Sequence, residues 1–376
     1  MSTRALRIVF AGGGTGGHLF PGIAVAREIL SREPAAEISF VGTARGIEAR
    51  VIPKEGFLLD LIRSAGLKGK SIAAFARGLT LLPASAVDAW RVLSRRRPDV
   101  VIGLGGYSSG PLVGLAAMRG IPTMILEQNA VPGLTNRLLA RAVRAAAVTY
   151  ESTLPYFGGR AFVSGNPVRP EFVARAAESA PAGARHGGHG AEARVLIFGG
   201  SQGAHAINVA MVAAAAELAS HARRLSITHQ TGERDLAFVR DGYRRAGLTA
   251  RVEPFLFEMD VEMTNADVVV CRAGATTLAE LAAAGRPSIL IPLPTATDDH
   301  QRRNARVLAE AGAADVIDER ELTGPALAAR LLALADDETR RASMARAVRG
   351  FARAEAARII ADRALELARG RRDLAC

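Results

Sequence analysis

The chain has 376 residues, 49% of them hydrophobic and 23% charged, which is enough for two packed cores and excludes a disordered polymer. Its 48 Lys and Arg against 37 Asp and Glu leave a net charge of +11, so phosphates, nucleic acid or anionic lipid are the natural partners. Two cysteines, Cys271 and Cys376, exclude a disulfide framework and lack metal-ligand spacing, which fits a reducing compartment.

In chain order, Arg4 and Arg7 precede an apolar run at 8–11 that glycines interrupt at once, so it reads as a first strand rather than a signal peptide. Nowhere does an apolar run reach the length of about 18 residues that a membrane-spanning helix needs. Strands are predicted at 7–11, 38–41, 100–104, 123–126 and 146–148, with helices near 21–30, 111–119 and 135–141. The pattern then repeats with strands at 195–198, 225–228, 251–252, 268–271, 288–291 and 315–317, separated by helix-length segments. Strand and helix in alternation imply α/β architecture with parallel, doubly wound sheets. The boundary falls near 165–185, and residues 177–193, rich in Ala, Gly and Pro, read as a loop. His186 and His189 there have no third ligand and read as solvated loop histidines. The Arg- and Ala-rich stretch 338–372 is predicted as helix, placed to pack back across the junction.

One local design occurs twice. An apolar run enters GGGTGGH at 12–18, and a second enters GGSQGAH at 199–205. Each reads as a strand turning sharply into a helix, with backbone N–H groups available to an anion; close strand–helix packing is the other use of such glycines. The first formally matches the dinucleotide fingerprint, yet the second strand ends in Gly42 and Thr43, where an acid should hold the ribose. A nicotinamide oxidoreductase therefore lacks its second requirement. Low aromatic content and arginines dispersed through Ala-rich helices disfavour a nucleic-acid binder.

Seven blocks carry a specific resemblance: GGGTGGHLFPGIAVA, GLGGYSSGPLVGLA, EQNAVPGLTNRLLA, GNPVR, GGSQGAHAIN, CRAGATTLAELAAAGRP and TDDHQRRNA. In this order they closely resemble the MurG family, cell-wall glycosyltransferases that move N-acetylglucosamine from UDP-N-acetylglucosamine to undecaprenyl-pyrophosphoryl-N-acetylmuramyl-pentapeptide. The resemblance implies a GT-B fold, two Rossmann-like doubly wound domains separated by a cleft. Residues 1–166, with about 346–376 packing back on them, are the expected acceptor and membrane domain, and 167–345 the expected UDP-N-acetylglucosamine domain. It implies no cofactor and no metal, and the chain has no Asp-x-Asp triplet.

For the donor, the resemblance implies Ser201 on the diphosphate, with Arg169 of GNPVR near it. A helix cap is the other reading of Ser201, and the two are compatible. Glu280 is implied as acceptor for the ribose hydroxyls, Leu256 as the backbone contact to uracil, and Ala275, Thr276, Thr277 and Leu278 as pocket lining. His300 and Gln301 resemble the pair that reads the sugar hydroxyls, although two amides are usual there. Thr15, Gly16, Gly17 and Asn129 are implied around sugar and phosphates, and Gly13, Gly14, Tyr107 and Ser108 on the acceptor side. His18, at a helix start, is the expected general base, the alternative being a residue that caps the helix or orients the acceptor pyrophosphate. Leu126 stands where many relatives carry His. Residues 67–93 combine Lys68, Lys70 and Arg77 with Ile72, Phe75, Leu79, Leu82 and Trp90, a basic-rimmed apolar stretch that reads as a face for an anionic membrane surface, ordinary helical core being the other reading. The implied location is the cytoplasmic face of the plasma membrane. Within the same fold, a UDP-N-acetylglucosamine 2-epimerase and a transferase to another lipid are the competing activities.

Overall fold

The computed structural model describes residues 4–64, 72–178, 192–200, 202–221 and 224–373. They form two compact units, one of Met1–Arg169 with Arg353–Cys376 and one of Pro170–Ala352. In the first unit the order is β1 (Arg7–Gly12), α1 (Gly16–Arg32), β2 (Glu37–Gly42), α2 (Glu48–Lys54), β3 (Leu58–Leu61), α3 (Ile72–Arg96), β4 (Val100–Gly105), α4 (Ser109–Met118), β5 (Thr123–Glu127), α5 (Leu134–Leu139), β6 (Ala145–Val148) and β7 (Ala161–Val163). The second unit runs α6 (Pro170–Glu178), β8 (Ala193–Phe198), α7 (His205–Ala219), β9 (Leu225–Gln230), α8 (Leu236–Ala246), β10 (Arg251–Glu253), α9 (Met259–Asn265), β11 (Val268–Cys271), α10 (Ala275–Ala284), β12 (Ser288–Leu290), α11 (His300–Glu310), β13 (Asp315–Val316), α12 (Gly324–Asp336) and α13 (Glu338–Arg349). The chain ends with α14 (Ala356–Asp373), which belongs to the first unit.

Every strand pairing in both sheets is parallel, in the orders β3-β2-β1-β4-β5-β6-β7 and β10-β9-β8-β11-β12-β13. The order reverses between β1 and β4 in the first sheet and between β8 and β11 in the second. Ligands of open parallel sheets bind beyond the carboxyl ends of the strands at such reversals. Because helices cover both faces, the central strands are apolar throughout: β4 and β5 have no exposed residue.

The first core joins Ile8, Phe10, Phe40, Ile102 and Met124 to α14 through Ile360, Ala361, Ala364, Leu365 and Ala368. Thus α14 packs back on α1, and Arg32 adds an ion pair to Asp362 at 2.5 Å. The stretch predicted as one helix over 338–372 is two, broken between Arg349 and Ala356. Helix α1 starts at Gly16 rather than near 21, because the first turns are seated by backbone contacts that outweigh the low propensity of Gly16, Gly17 and Pro21. Strands β3 and β7, short edge segments with little apolar run, and helix α2 were not predicted.

Candidate functional site

At the first reversal, the turn after β1 has Gly12, Gly13 and Gly14 at φ 136°, 149° and 84°. A Cβ on Gly12 would lie 2.3 Å from the Gly105 carbonyl oxygen, and one on Gly106 2.8 Å from that of Gly13, so the turns after β1 and β4 pack backbone to backbone. Buried Glu48 of α2 closes this turn, accepting from Gly14 N–H at 2.9 Å, Thr43 N–H at 2.8 Å and the Thr43 hydroxyl at 3.1 Å. Gly14 itself faces open space where a side chain would start. Thr15 is exposed, and Gly16, Gly17 and His18 are half-buried.

The His18 ring lies against Gly105, where a Cβ would approach Nδ1 and Cε1 to 3.1 Å. Its Nδ1 is 3.0 Å from Oε1 of Gln128, whose Nε2 donates to the Leu104 carbonyl at 3.3 Å. One residue earlier, buried Glu127 accepts from Asn129 N–H and Nδ2, Gly133 N–H and Asn136 Nδ2, at 2.8–3.1 Å. A buried carboxylate with four donors is an anchor, and it fixes the EQN turn on which Gln128 and Asn129 stand. On the β4–α4 turn Ser108 is buried and Tyr107 exposed.

At the second reversal, the turn after β8 is braced by the end of β9. Gln230 Nε2 donates to the Gly200 carbonyl at 2.9 Å, and Gly203, at φ 72°, leaves no room for a Cβ beside the Thr231 carbonyl. Ser201 lies outside the described residues. At the start of α7, His205 Nδ1 meets Asp235 at 2.9 Å, and Asn208 Nδ2 donates to Asp235 and to the Thr231 carbonyl. Asn208 Oδ1 then accepts from His229 Nε2 at 3.0 Å, and the Tyr243 hydroxyl donates to His229 Nδ1 at 2.7 Å. Burial lowers the His229 pKa to about 3, so this histidine is neutral.

Across the reversal, β11 ends at Cys271 and α10 starts at Ala275 behind an extended Gly274. Glu280 is 6% exposed on α10, near enough to Cys271 that its charge adds to burial in pushing the thiol pKa up. Leu278 and Leu256 are buried, and Ala275, Thr276 and Thr277 half-buried. Asp298 and Asp299 take left-handed conformations, φ 58° and 56°, in the turn that opens α11. Gln301 Oε1 accepts from Leu293 N–H at 3.0 Å, which leaves its NH2 as the presented end; His300 Nδ1 donates to the Thr297 carbonyl at 2.6 Å. Arg169 is half-buried at the end of the first unit.

Of the stretch read as membrane-facing, Lys68 and Lys70 and the side chains of Ile72, Phe75, Arg77 and Leu79 lie outside the described residues, as do His186, His189 and Cys376. Leu82, Val87 and Trp90 of α3 are exposed, and Trp90 carries the Arg119 guanidinium 4.5 Å above its ring, beside exposed Met118. The opposite face of α3 buries Ala89, Val92 and Leu93 in a second core. Among the described residues no helix is long and apolar enough to cross a membrane.

The glycosyltransferase family 28 N-terminal domain matches residues 8–148 and the family 28 C-terminal domain residues 194–362. An Anaeromyxobacter sp. (strain K) protein named UDP-N-acetylglucosamine–N-acetylmuramyl-(pentapeptide) pyrophosphoryl-undecaprenol N-acetylglucosamine transferase is 49% identical, over 97% of this chain and 94% of its own. A Pelobacter propionicus protein of the same name is 47% identical, over 96% and 99%. Among solved structures, Acinetobacter baumannii MurG superposes with a TM-score of 0.77 at 30% identity, covering 96% of this chain and 99% of its own. The chain belongs to the MurG family. Its two parallel-sheet units are the GT-B fold of that family.

For this MurG-family chain, sequence reasoning passed over four residues that shape the two turns: Glu48, Gln128, Gln230 and Asn208. Gln128 and Asn208 sat inside quoted motifs, which is the only signal that marked them. Glu48 had none, because its partners Gly14 and Thr43 meet it only through the fold.

Proposed function

We propose that the chain moves N-acetylglucosamine from UDP-N-acetylglucosamine to the C4 hydroxyl of the N-acetylmuramyl sugar of undecaprenyl-pyrophosphoryl-N-acetylmuramyl-pentapeptide, a step of peptidoglycan synthesis. The full-length relatives bear transferase names, which favours transfer over epimerisation. The observation that carries the reading is a histidine seated at one sheet reversal together with a glycine turn and buried Glu280 at the other.

The His18 imidazole takes the proton of the attacking hydroxyl as its oxygen bonds to the anomeric carbon. The bond from that carbon to the diphosphate breaks, UDP leaves with the electron pair, and attack from the opposite side inverts the α-linked donor to a β-1,4 product. Backbone N–H groups of 199–203, the Ser201 hydroxyl and the Arg169 cation receive the growing charge in place of a metal. Glu280 takes the ribose hydroxyls, Leu256 the uracil edge, and Ala275, Thr276, Thr277 and Leu278 the pocket wall. His300 and Gln301 read the sugar hydroxyls. Thr15, Gly16, Gly17 and Asn129 surround sugar and phosphates, while Gly13, Gly14, Tyr107 and Ser108 meet the acceptor, Gly14 through the space its missing side chain leaves.

The lipid-linked acceptor requires a membrane surface. Exposed Leu82, Val87, Trp90 and Met118, with Arg119 over the ring and a net charge of +11, suit a peripheral protein on the cytoplasmic face of the plasma membrane. Labelled UDP-N-acetylglucosamine offered with and without the undecaprenyl acceptor tests the reading. The account expects a labelled lipid with a β-1,4 disaccharide only when acceptor is present; conversion of the donor alone would replace it with an epimerase.

A further inference from the structure

We infer that Gln128 is a positioning residue that fixes the tautomer of His18, holding the proton on Nδ1 and the lone pair on Nε2. The inference rests on the reading of His18 as general base, and deepens it. A backbone carbonyl can only accept a hydrogen bond, so the atom of the Gln128 amide that faces the Leu104 oxygen at 3.3 Å is its NH2. The Gln128 carbonyl oxygen therefore faces His18 Nδ1, at 3.0 Å, and that nitrogen must carry the hydrogen.

The orientation cannot reverse cheaply. Gln128 is 2% exposed, and turning the amide would set its oxygen against the Leu104 oxygen and its NH2 against Nδ1–H. The turn that carries Gln128 is itself fixed by the four donors to Glu127. Gly105 completes the seat, since a Cβ there would crowd the imidazole at Nδ1 and Cε1 to 3.1 Å. A neutral histidine with Nδ1 protonated is the form whose Nε2 accepts a proton. The second unit holds the opposite arrangement: His229 donates from Nε2 to Asn208 and accepts at Nδ1 from Tyr243. The carboxylates on the turns beside His18 are Glu48 of α2 and Glu127 of β5, both engaged by N–H donors, and the β4–α4 turn carries the Tyr107 phenol.

The test reads the proton directly, on the full-length protein with 15N-labelled histidine; the chain has seven histidines, and the His18 signal is the one lost in His18→Ala. At a pH where His18 is neutral, Nε2 is expected to show the shift of an unprotonated ring nitrogen and Nδ1 that of an N–H. The second readout is kinetic. In Gln128→Glu a carboxylate beside Nδ1–H favours the imidazolium, so the acidic limb of the kcat profile moves up by about one pH unit, with KM for UDP-N-acetylglucosamine unchanged. Gln128→Leu lowers kcat at least about tenfold by releasing the other tautomer. A protonated Nε2 in the wild type, or a Gln128→Glu profile that superimposes on the wild type, overturns the inference. Its failure is separate from that of the base assignment, which falls if His18→Ala turns over normally whatever the spectrum shows.

Discussion

At the reversal of the first sheet the glycine turn is closed by a carboxylate, Glu48, whereas at that of the second the turn is closed by neutral groups, the Gln230 amide and the backbone of Thr231. The carboxylate near the second turn, Asp235, is answered by His205 and Asn208. Two turns with one topology therefore differ in the group that closes them. The first already holds an anion of its own and uses up the Gly14 N–H, which suits it to display His18 to a neutral hydroxyl. Among the described residues the second turn itself is braced by neutral groups, which suits the proposed leaving diphosphate.

The largest effect expected from breaking this division is chemical. His18→Ala should lower kcat by about 100- to 10,000-fold while calorimetric titration with UDP stays at the wild-type affinity, as the proposed placing of the base on the first unit and the nucleotide on the second requires. Next comes the internal anion: Glu48→Gln leaves turn donors poorly satisfied and should cost about 1–3 kcal/mol in denaturant unfolding, again with UDP affinity retained. Equal loss of UDP binding in either variant would erase the distinction between the turns.

Acid sharpens the comparison from the other side. His229 is buried and neutral with a pKa near 3, against about 6.5 in an unfolded chain. A pKa depressed by folding contributes stability that is fully present above the unfolded value and is lost as pH falls toward the folded one. Between roughly pH 7 and roughly pH 5 this group alone should remove about 2 kcal/mol, and His229→Gln should flatten that part of the pH–stability curve. The smallest effect concerns the surface: Trp90→Ala should weaken binding to anionic vesicles by about 1 kcal/mol, and added salt should weaken it further in both proteins.

Much of this was legible in the sequence. Buried parallel strands such as β1, β4, β8 and β11 are short apolar runs bounded by turn residues, so their existence and position along the chain follow from the sequence. The glycine turns mark the strand ends where side chains cannot fit, which is why the motifs fell at the reversals. The edge strand β3 was missed because Leu58 and Leu61 are exposed and the run is four residues long. Gln128 and Glu48 act on partners 110 and 34 residues away, and no local pattern encodes such a pairing.

The most direct test is a crystal of the protein soaked with UDP-N-acetylglucosamine. The account predicts the nucleotide on the second unit, with ribose against Glu280 and diphosphate against the turn at 199–203. A nucleotide held by the first unit alone, or an empty second turn, would contradict it.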